Sequence, residues 1–281
     1  MSAWLPAAPC TPAACATHDG RSRHPLPAVA LLCAGCALVL TGVLCAPLAL
    51  LLGRSRRAPL TRTWAHGVVR AFGVRVRVVG RPRVHRAGPG ALVVANHVSW
   101  LDIPLVAAVC PGRMLAKSDI RRWPLLGPLA ALGGTLFVER ERLRDLPVTV
   151  HAVASALRGG ARVVVFPEGS TWCGRGPGGR FRPAAFQAAI DAGAAVQPVR
   201  IRYLREPAGH RVPAGATAFV GDDPLTASLW RVVRAAGLTA EIHVMPPIPA
   251  GSVTTRRALA ALAQSTVARD SANLPSESVH H

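Results

Sequence analysis

The sequence predicts an α/β fold: a mixed, mostly parallel central sheet flanked by helices, preceded by one N-terminal membrane helix. Two observations carry this. From about Thr61 onward, short apolar runs alternate with amphipathic stretches, the order expected of parallel strands joined by crossover helices. Before that, Ala28 to Leu52 contains no charged side chain. At ~1.5 Å rise per residue these roughly 25 residues can cross a hydrocarbon layer of ~30 Å.

Taken in order, residues 1–27 are rich in Ala and Pro without a helical or strand period, and read as a disordered leader. Residues 28–52 form the membrane helix. Arg54, Arg56, Arg57 and Arg62 outnumber Arg21 and Arg23 across it. The positive-inside rule therefore puts the C-terminal bulk on the cytoplasmic face of the cell membrane, with the helix either single-pass or a re-entrant anchor. The folded domain is expected over 61–270 and a flexible polar tail over 271–281. Strands are expected at Val74–Val79, Ala91–Ala95, Thr135–Val138, Arg162–Phe166, Val196–Arg202, Ala216–Val220 and Glu241–Met245. Helices are expected near Trp100–Val109, Leu143–Leu157, Pro183–Ala192 and Thr226–Ala236.

The formal charge of +19 comes almost entirely from arginine, with Lys117 the single lysine, spread along the whole chain. Such a surface is drawn to polyanions, and an anionic membrane surface is the expected one. With one Tyr and six Phe, the chain lacks the aromatic and basic interleaving of single-strand binders, so nucleic acid is not an expected partner. The seven cysteines show no paired modules at zinc spacing, and no metal ligands are expected. Cys33 and Cys36 read as packing within the apolar helix, and Cys173 as a small loop residue.

Two polar turns follow apolar strands, the place where α/β sheets expose rigidly held reactive groups. The first is Asn96-His97-Val98-Ser99-Trp100-Leu101-Asp102, where the imidazole can remove a proton and the carboxylate can fix its tautomer. Ser99 lacks a G-x-S-x-G elbow and is not expected to act as a nucleophile. The second is Phe166-Pro167-Glu168-Gly169-Ser170-Thr171. Between them, Gly134 to Arg140 ends in a guanidinium that suits a phosphate.

In this order and spacing, over roughly Ala91 to Arg202, these motifs resemble the glycerolipid acyltransferase family, and within it the bacterial 1-acyl-glycerol-3-phosphate acyltransferases. The resemblance implies His97 and Asp102 as the catalytic pair of N-H-x-x-x-x-D. It implies Arg140 as the phosphate ligand of G-x-x-F-x-x-R, Glu168 and Gly169 in the acceptor-binding F-P-E-G-[ST], and Pro198 in a following apolar strand. Asn96, Ser99 and Ser170, on the same turns, are expected to contact substrate. The implied reaction moves a fatty acyl group from acyl-CoA or acyl carrier protein to the sn-2 hydroxyl of 1-acyl-glycerol-3-phosphate. The alternative acceptor is another lysolipid, such as lyso-ornithine lipid. No cofactor is implied beyond the acyl thioester as co-substrate.

Overall fold

A computed structural model describes residues 8–82, 88–124, 126–139, 142–206 and 210–268. The expected flexible tail, 271–281, lies outside the described residues. Strands β1 (Arg75–Val79), β2 (Ala91–Ala95), β3 (Arg113–Lys117), β4 (Leu136–Val138), β5 (Val163–Val165), β6 (Ala195–Arg205), β7 (Val212–Pro213) and β8 (Thr239–Val244) form one sheet, in the order β1-β8-β6-β2-β5-β3-β4 with β7 on β6. β1 to β8, and each pair from β6 through β2, β5 and β3 to β4, runs parallel. β6 meets β8 and β7 antiparallel. The expected mixed, mostly parallel sheet is present.

Strand periodicity explains why both faces are covered. Leu92 and Val94 of β2 pack into one buried cluster and Val93 and Ala95 into the other, because successive side chains point to opposite faces. An apolar run with no polar alternation therefore needs helices on both sides. One layer is α2 (Pro25–Leu51), α3 (Arg54–Ala71), α4 (Asp102–Val109) and α8 (Leu225–Arg234); the other is α6 (Leu146–Arg158), α7 (Ala184–Asp191) and α9 (Arg256–Ala268). Of the short helices, α5 (Leu126–Leu132) packs against α2, and α1 (Pro12–Cys15) belongs to the segment that precedes α2.

Pro198 sits in β6 between two partner strands, a position proline normally avoids because it cannot donate to a ladder. It is tolerated because the β6–β8 register stops one residue later, at Val199↔Val244. There the Gln197 amide donates to the Met245 carbonyl at 2.5 Å, and Met245 N–H donates to the Pro198 carbonyl at 3.0 Å.

Three expectations are corrected. Ala216–Val220 is not a strand. It opens with a 3₁₀ turn at Gly215–Thr217, and its carbonyls go elsewhere: the Arg231 guanidinium donates to Ala216 and Ala218, and the Thr171 hydroxyl to Phe219. Residues 8–24 are not a disordered leader but a strap laid on the domain. Ser22 bridges Ala235, and one Arg23 guanidinium donates to the carbonyls of Val233 (2.8 Å), Ala235 (2.5 Å) and Gly73 (2.8 Å). Arg23 thereby satisfies orphan carbonyls at the ends of α8 and α3, which charge-assisted donors do well.

The third concerns the bounds and the partner of the apolar helix. It runs from Pro25 to Leu51 and is the one helix among the described residues long and apolar enough to cross a membrane. It turns straight back into α3, and Arg23 joins the start of α2 to Gly73 at the end of α3. The segment leading into the helix is thus bonded to the domain that follows it. The pair is a hairpin. Trp64 of α3 donates to the Leu38 carbonyl at 2.9 Å, and a Cβ on Gly35 would sit 2.5 Å from the Phe72 ring. Arg57 donates to the Leu50 and Leu52 carbonyls, capping the end of α2. Toward the tip, Leu44 (75%), Leu48 (66%) and Leu51 (83%) stay exposed.

Candidate active site

β2 and β5 are parallel neighbours, Val94 beside Val165, so the turns after them open at the same sheet edge. Asn96 extends the β2–β6 pairing past the last backbone partners: its amide donates to the Ile201 carbonyl at 2.9 Å and its carbonyl accepts from Ile201 N–H at 2.7 Å. With Asn96 fixed, the next residue, His97, is held at the strand end. Its Nδ1 lies 2.7 Å from Asp102 Oδ2. A carboxylate only accepts, so Nδ1 carries the proton and Nε2 keeps the free lone pair of a base.

Asp102 stands in the first turn of α4 and is fully buried. Its Oδ2 also accepts from Val98 N–H at 2.6 Å and Ser99 N–H at 2.9 Å, and its Oδ1 accepts from the Tyr203 hydroxyl at 2.7 Å. A fully buried carboxyl group needs such partners on both oxygens. Burial, then the Asp102 charge, hold the Tyr203 phenol well above its usual pKa, which keeps it a donor. Tyr203 belongs to no motif in the sequence. It is the only tyrosine in the chain, within an otherwise Arg-rich strand, and that singularity was the available signal.

Glu168 is brought to the same place, but facing inward. Its Oε2 accepts from His97 N–H at 2.7 Å and its Oε1 from Gly179 N–H at 3.0 Å, and 3% of the residue is exposed. It braces the backbone of His97 from behind, while the Phe166 ring stacks on the imidazole at 4.2 Å and 18°. Burial pushes the Glu168 carboxyl up to about 7, against the His97 and Gly179 N–H groups, which pull it down; the Asp102 charge adds to the rise. In the unfolded chain this carboxyl ionises near 4.5. The folded state therefore holds the extra proton, and its stability falls as pH rises from about 4.5 through 7. Between about pH 5 and 7.5 this group should cost about 2 kcal/mol. Denaturation midpoints at both pH values should show that loss in the native chain and not in Glu168→Gln; equal pH dependence in the two would refute it.

Ser99 is fully buried, and its hydroxyl accepts from Leu101 N–H at 3.3 Å. Asn96 and Ser99 thus help to build the turn that holds His97. Gly169 takes φ +77, its N–H donating to the Phe166 carbonyl at 3.1 Å, a turn a side chain would strain. Arg140 lies outside the described residues.

Next to Glu168 opens a cavity of about 560 Å³, lined among others by Ser170, Trp172, Arg180, Arg182 and Arg257. Neither His97 nor Asp102 lines it, so it adjoins that pair rather than containing it. Ser170 Oγ and Trp172 Nε1 are buried there without a partner among the described residues. Two unsatisfied groups beside three guanidinium groups suit an anionic, oxygen-rich group.

An α/β fold with a carboxylate-oriented imidazole at a strand edge, and no exposed serine beside it among the described residues, has the groups needed to take a proton from a hydroxyl or from water. A family model described as Acyltransferase matches residues 75–202. The chain is 39% identical over 212 residues to a lyso-ornithine lipid O-acyltransferase of Pseudomonas aeruginosa, covering 75% of this chain and 78% of the relative. It is 41% identical over 183 residues to a 1-acyl-sn-glycerol-3-phosphate acyltransferase of Neisseria gonorrhoeae, covering 64% and 69%. The crystal structure of the 1-acyl-sn-glycerophosphate acyltransferase PlsC of Thermotoga maritima superposes with a TM-score of 0.63 at 19% identity, over 86% of this chain and 92% of that one. The chain belongs to the acyltransferase family of glycerolipid enzymes.

Proposed function

We propose that the enzyme transfers a fatty acyl group from acyl-CoA or acyl carrier protein to the sn-2 hydroxyl of 1-acyl-glycerol-3-phosphate, giving phosphatidic acid. The observation that carries the chemistry is the His97–Asp102 pair with Nε2 left free. His97 Nε2 takes the proton as the acceptor oxygen attacks the thioester carbonyl, and Asp102 stabilises the imidazolium that results. The tetrahedral intermediate then expels the thiolate, so no acyl-enzyme forms. Relatives named for lyso-ornithine lipid support a second acceptor. Membranes containing the enzyme, labelled acyl-CoA or acyl carrier protein, and a panel of lysolipids decide between them: phosphatidic acid as the main product supports the first reading, and acylation of lyso-ornithine lipid alone rejects it.

Arg140 tests the headgroup. A charge-assisted bond to phosphate contributes ~1.5 to 3 kcal/mol, against ~0 to 1 for an exposed ion pair. Arg140→Ala should thus lower kcat/KM for 1-acyl-glycerol-3-phosphate roughly 10- to 100-fold, with a smaller loss on acceptors lacking that phosphate. Unchanged kinetics would exclude the phosphate role.

The hairpin serves as a one-sided anchor, with α2, apolar on every side, in the lipid and Arg56 and Arg62 of α3 among anionic headgroups. Leu48→Asp with Leu51→Asp should weaken vesicle binding by about tenfold or more, and the residual binding should yield to salt. Protease sites placed before Pro9 and after Ala268 should be cut on the same, cytoplasmic face of the membrane. Cleavage on opposite faces would overturn this anchoring mode.

A further inference from the structure

The strap and the loop that follows the F-P-E-G turn carry three cysteines that are far apart in sequence and together in space. The Sγ atoms of Cys10, Cys15 and Cys173 all lie within 4.8 Å of one another, each partly buried. Around a tetrahedral zinc, with Zn–S bonds near 2.3 Å, thiolate sulfurs stand about 3.8 Å apart. Closing the difference takes only small rotations of three short side chains. A disulfide would use two of the three and strand the third; a thiophilic cation uses them all.

The surroundings are built to hold the strap here. Gly215 faces the strap so closely that a Cβ would lie 2.7 Å from the Cys15 carbonyl oxygen and 2.6 Å from that of Thr17. Arg175, two residues after Cys173, donates to Thr17 Oγ1 at 2.9 Å. Three thiolates around a divalent cation leave one net negative charge, and this guanidinium stands beside it to offset that charge.

We propose that Cys10, Cys15 and Cys173 form a structural metal site taking one thiophilic cation, Zn²⁺, which staples the N-terminal strap to the loop behind the catalytic histidine. The consequence reaches His97 through that loop. Trp172 N–H, one residue before Cys173, donates to the His97 carbonyl at 2.8 Å, and the Thr171 hydroxyl donates to the Phe219 carbonyl. The three cysteines supply three of the four tetrahedral ligands, and one further small ligand would fill the fourth position.

The full-length protein, purified in mild detergent with reductant and without chelator, should retain about one zinc per chain by plasma mass spectrometry, three thiolates being a sufficient ligand set. Adding Co²⁺ to the chelator-stripped protein should give thiolate-to-cobalt charge-transfer absorption. Cys45→Ser, which alters an exposed cysteine of α2, should keep both signals; Cys10→Ser and Cys173→Ser should each lower zinc content at least about tenfold. Three thiols should resist alkylation until a chelator is added, and amide exchange over residues 8–24 should then quicken. Wild-type protein without zinc or cobalt absorption overturns the site whatever the variants do. Thiols released only by stronger reductant would mean a disulfide and overturn it as well, and unchanged exchange after chelation would overturn the staple.

Discussion

Turnover by His97→Ala should fall at least ~10²- to 10⁴-fold, the contribution of a positioned general base, while the protein stays folded and bound to membranes. The structure gives three reasons to expect so clean a separation. The imidazole is 20% exposed, so its removal opens no sealed cavity in the core. The bonds that shape the turn use the backbone of His97, whose N–H serves Glu168 and whose carbonyl accepts from Trp172, and alanine keeps both. Loss of the imidazole also leaves Asp102 with the Val98, Ser99 and Tyr203 donors, enough to keep a buried carboxylate solvated. The loss should appear in kcat, because the interaction removed is made in the transition state. Near-normal turnover by a folded His97→Ala enzyme would defeat the base assignment and the proposed reaction with it.

The parts of this site legible in the sequence are those carried by contiguous residues. Asn96 to Asp102 and Phe166 to Thr171 each follow an apolar run, and the end of a buried strand is where short-range patterning speaks most clearly. Tyr203 and the Gly179 N–H complete the site from more distant segments, and no local period could tie them to Asp102 or Glu168. Which way Glu168 faces was equally hidden, because an acidic residue in a turn reads as a surface group until two backbone N–H groups are seen to hold it. β3, Arg113-Met114-Leu115-Ala116-Lys117, lacks the β-branched character that marked β2 and β5. It is a strand because β5 and β4 flank it, a tertiary reason rather than a local one. The pairing of α2 with α3 was hidden for a similar cause: the apolar run was visible, but the guanidinium of Arg23 bonded to Gly73 was not. The strap carrying Cys10 and Cys15 lies against Cys173 only through long-range packing, so cysteine spacing carried no sign of it.

Asp102→Asn should cost about as much as losing the base, ~10²- to 10⁴-fold in kcat, with far less loss of stability than Asp102→Ala. All the donors around Asp102 are committed: Oδ2 accepts three and Oδ1 accepts the Tyr203 hydroxyl. An asparagine can keep its carbonyl oxygen in the Oδ2 place and go on accepting from Val98, Ser99 and His97. Its amide then occupies the Oδ1 place and donates to Tyr203, whose hydroxyl accepts as readily as it donates once it turns away. The turn therefore survives, and with it the orientation of the ring. What disappears is the charge that steadies the imidazolium formed when His97 takes the acceptor's proton. Alanine removes the acceptor altogether, leaving the Val98 and Ser99 N–H groups and the Tyr203 hydroxyl buried without partners, at ~1 to 3 kcal/mol each. Two measurements separate charge from scaffold: kcat falls in both variants, whereas the thermal midpoint falls far more in Asp102→Ala than in Asp102→Asn. Tyr203→Phe extends the test, since it takes one donor from Oδ1 and leaves the three at Oδ2, so it should lower kcat much less than Asp102→Asn. If Asp102→Asn keeps near-normal turnover, the carboxylate orients the ring and its charge does not stabilise the transition state.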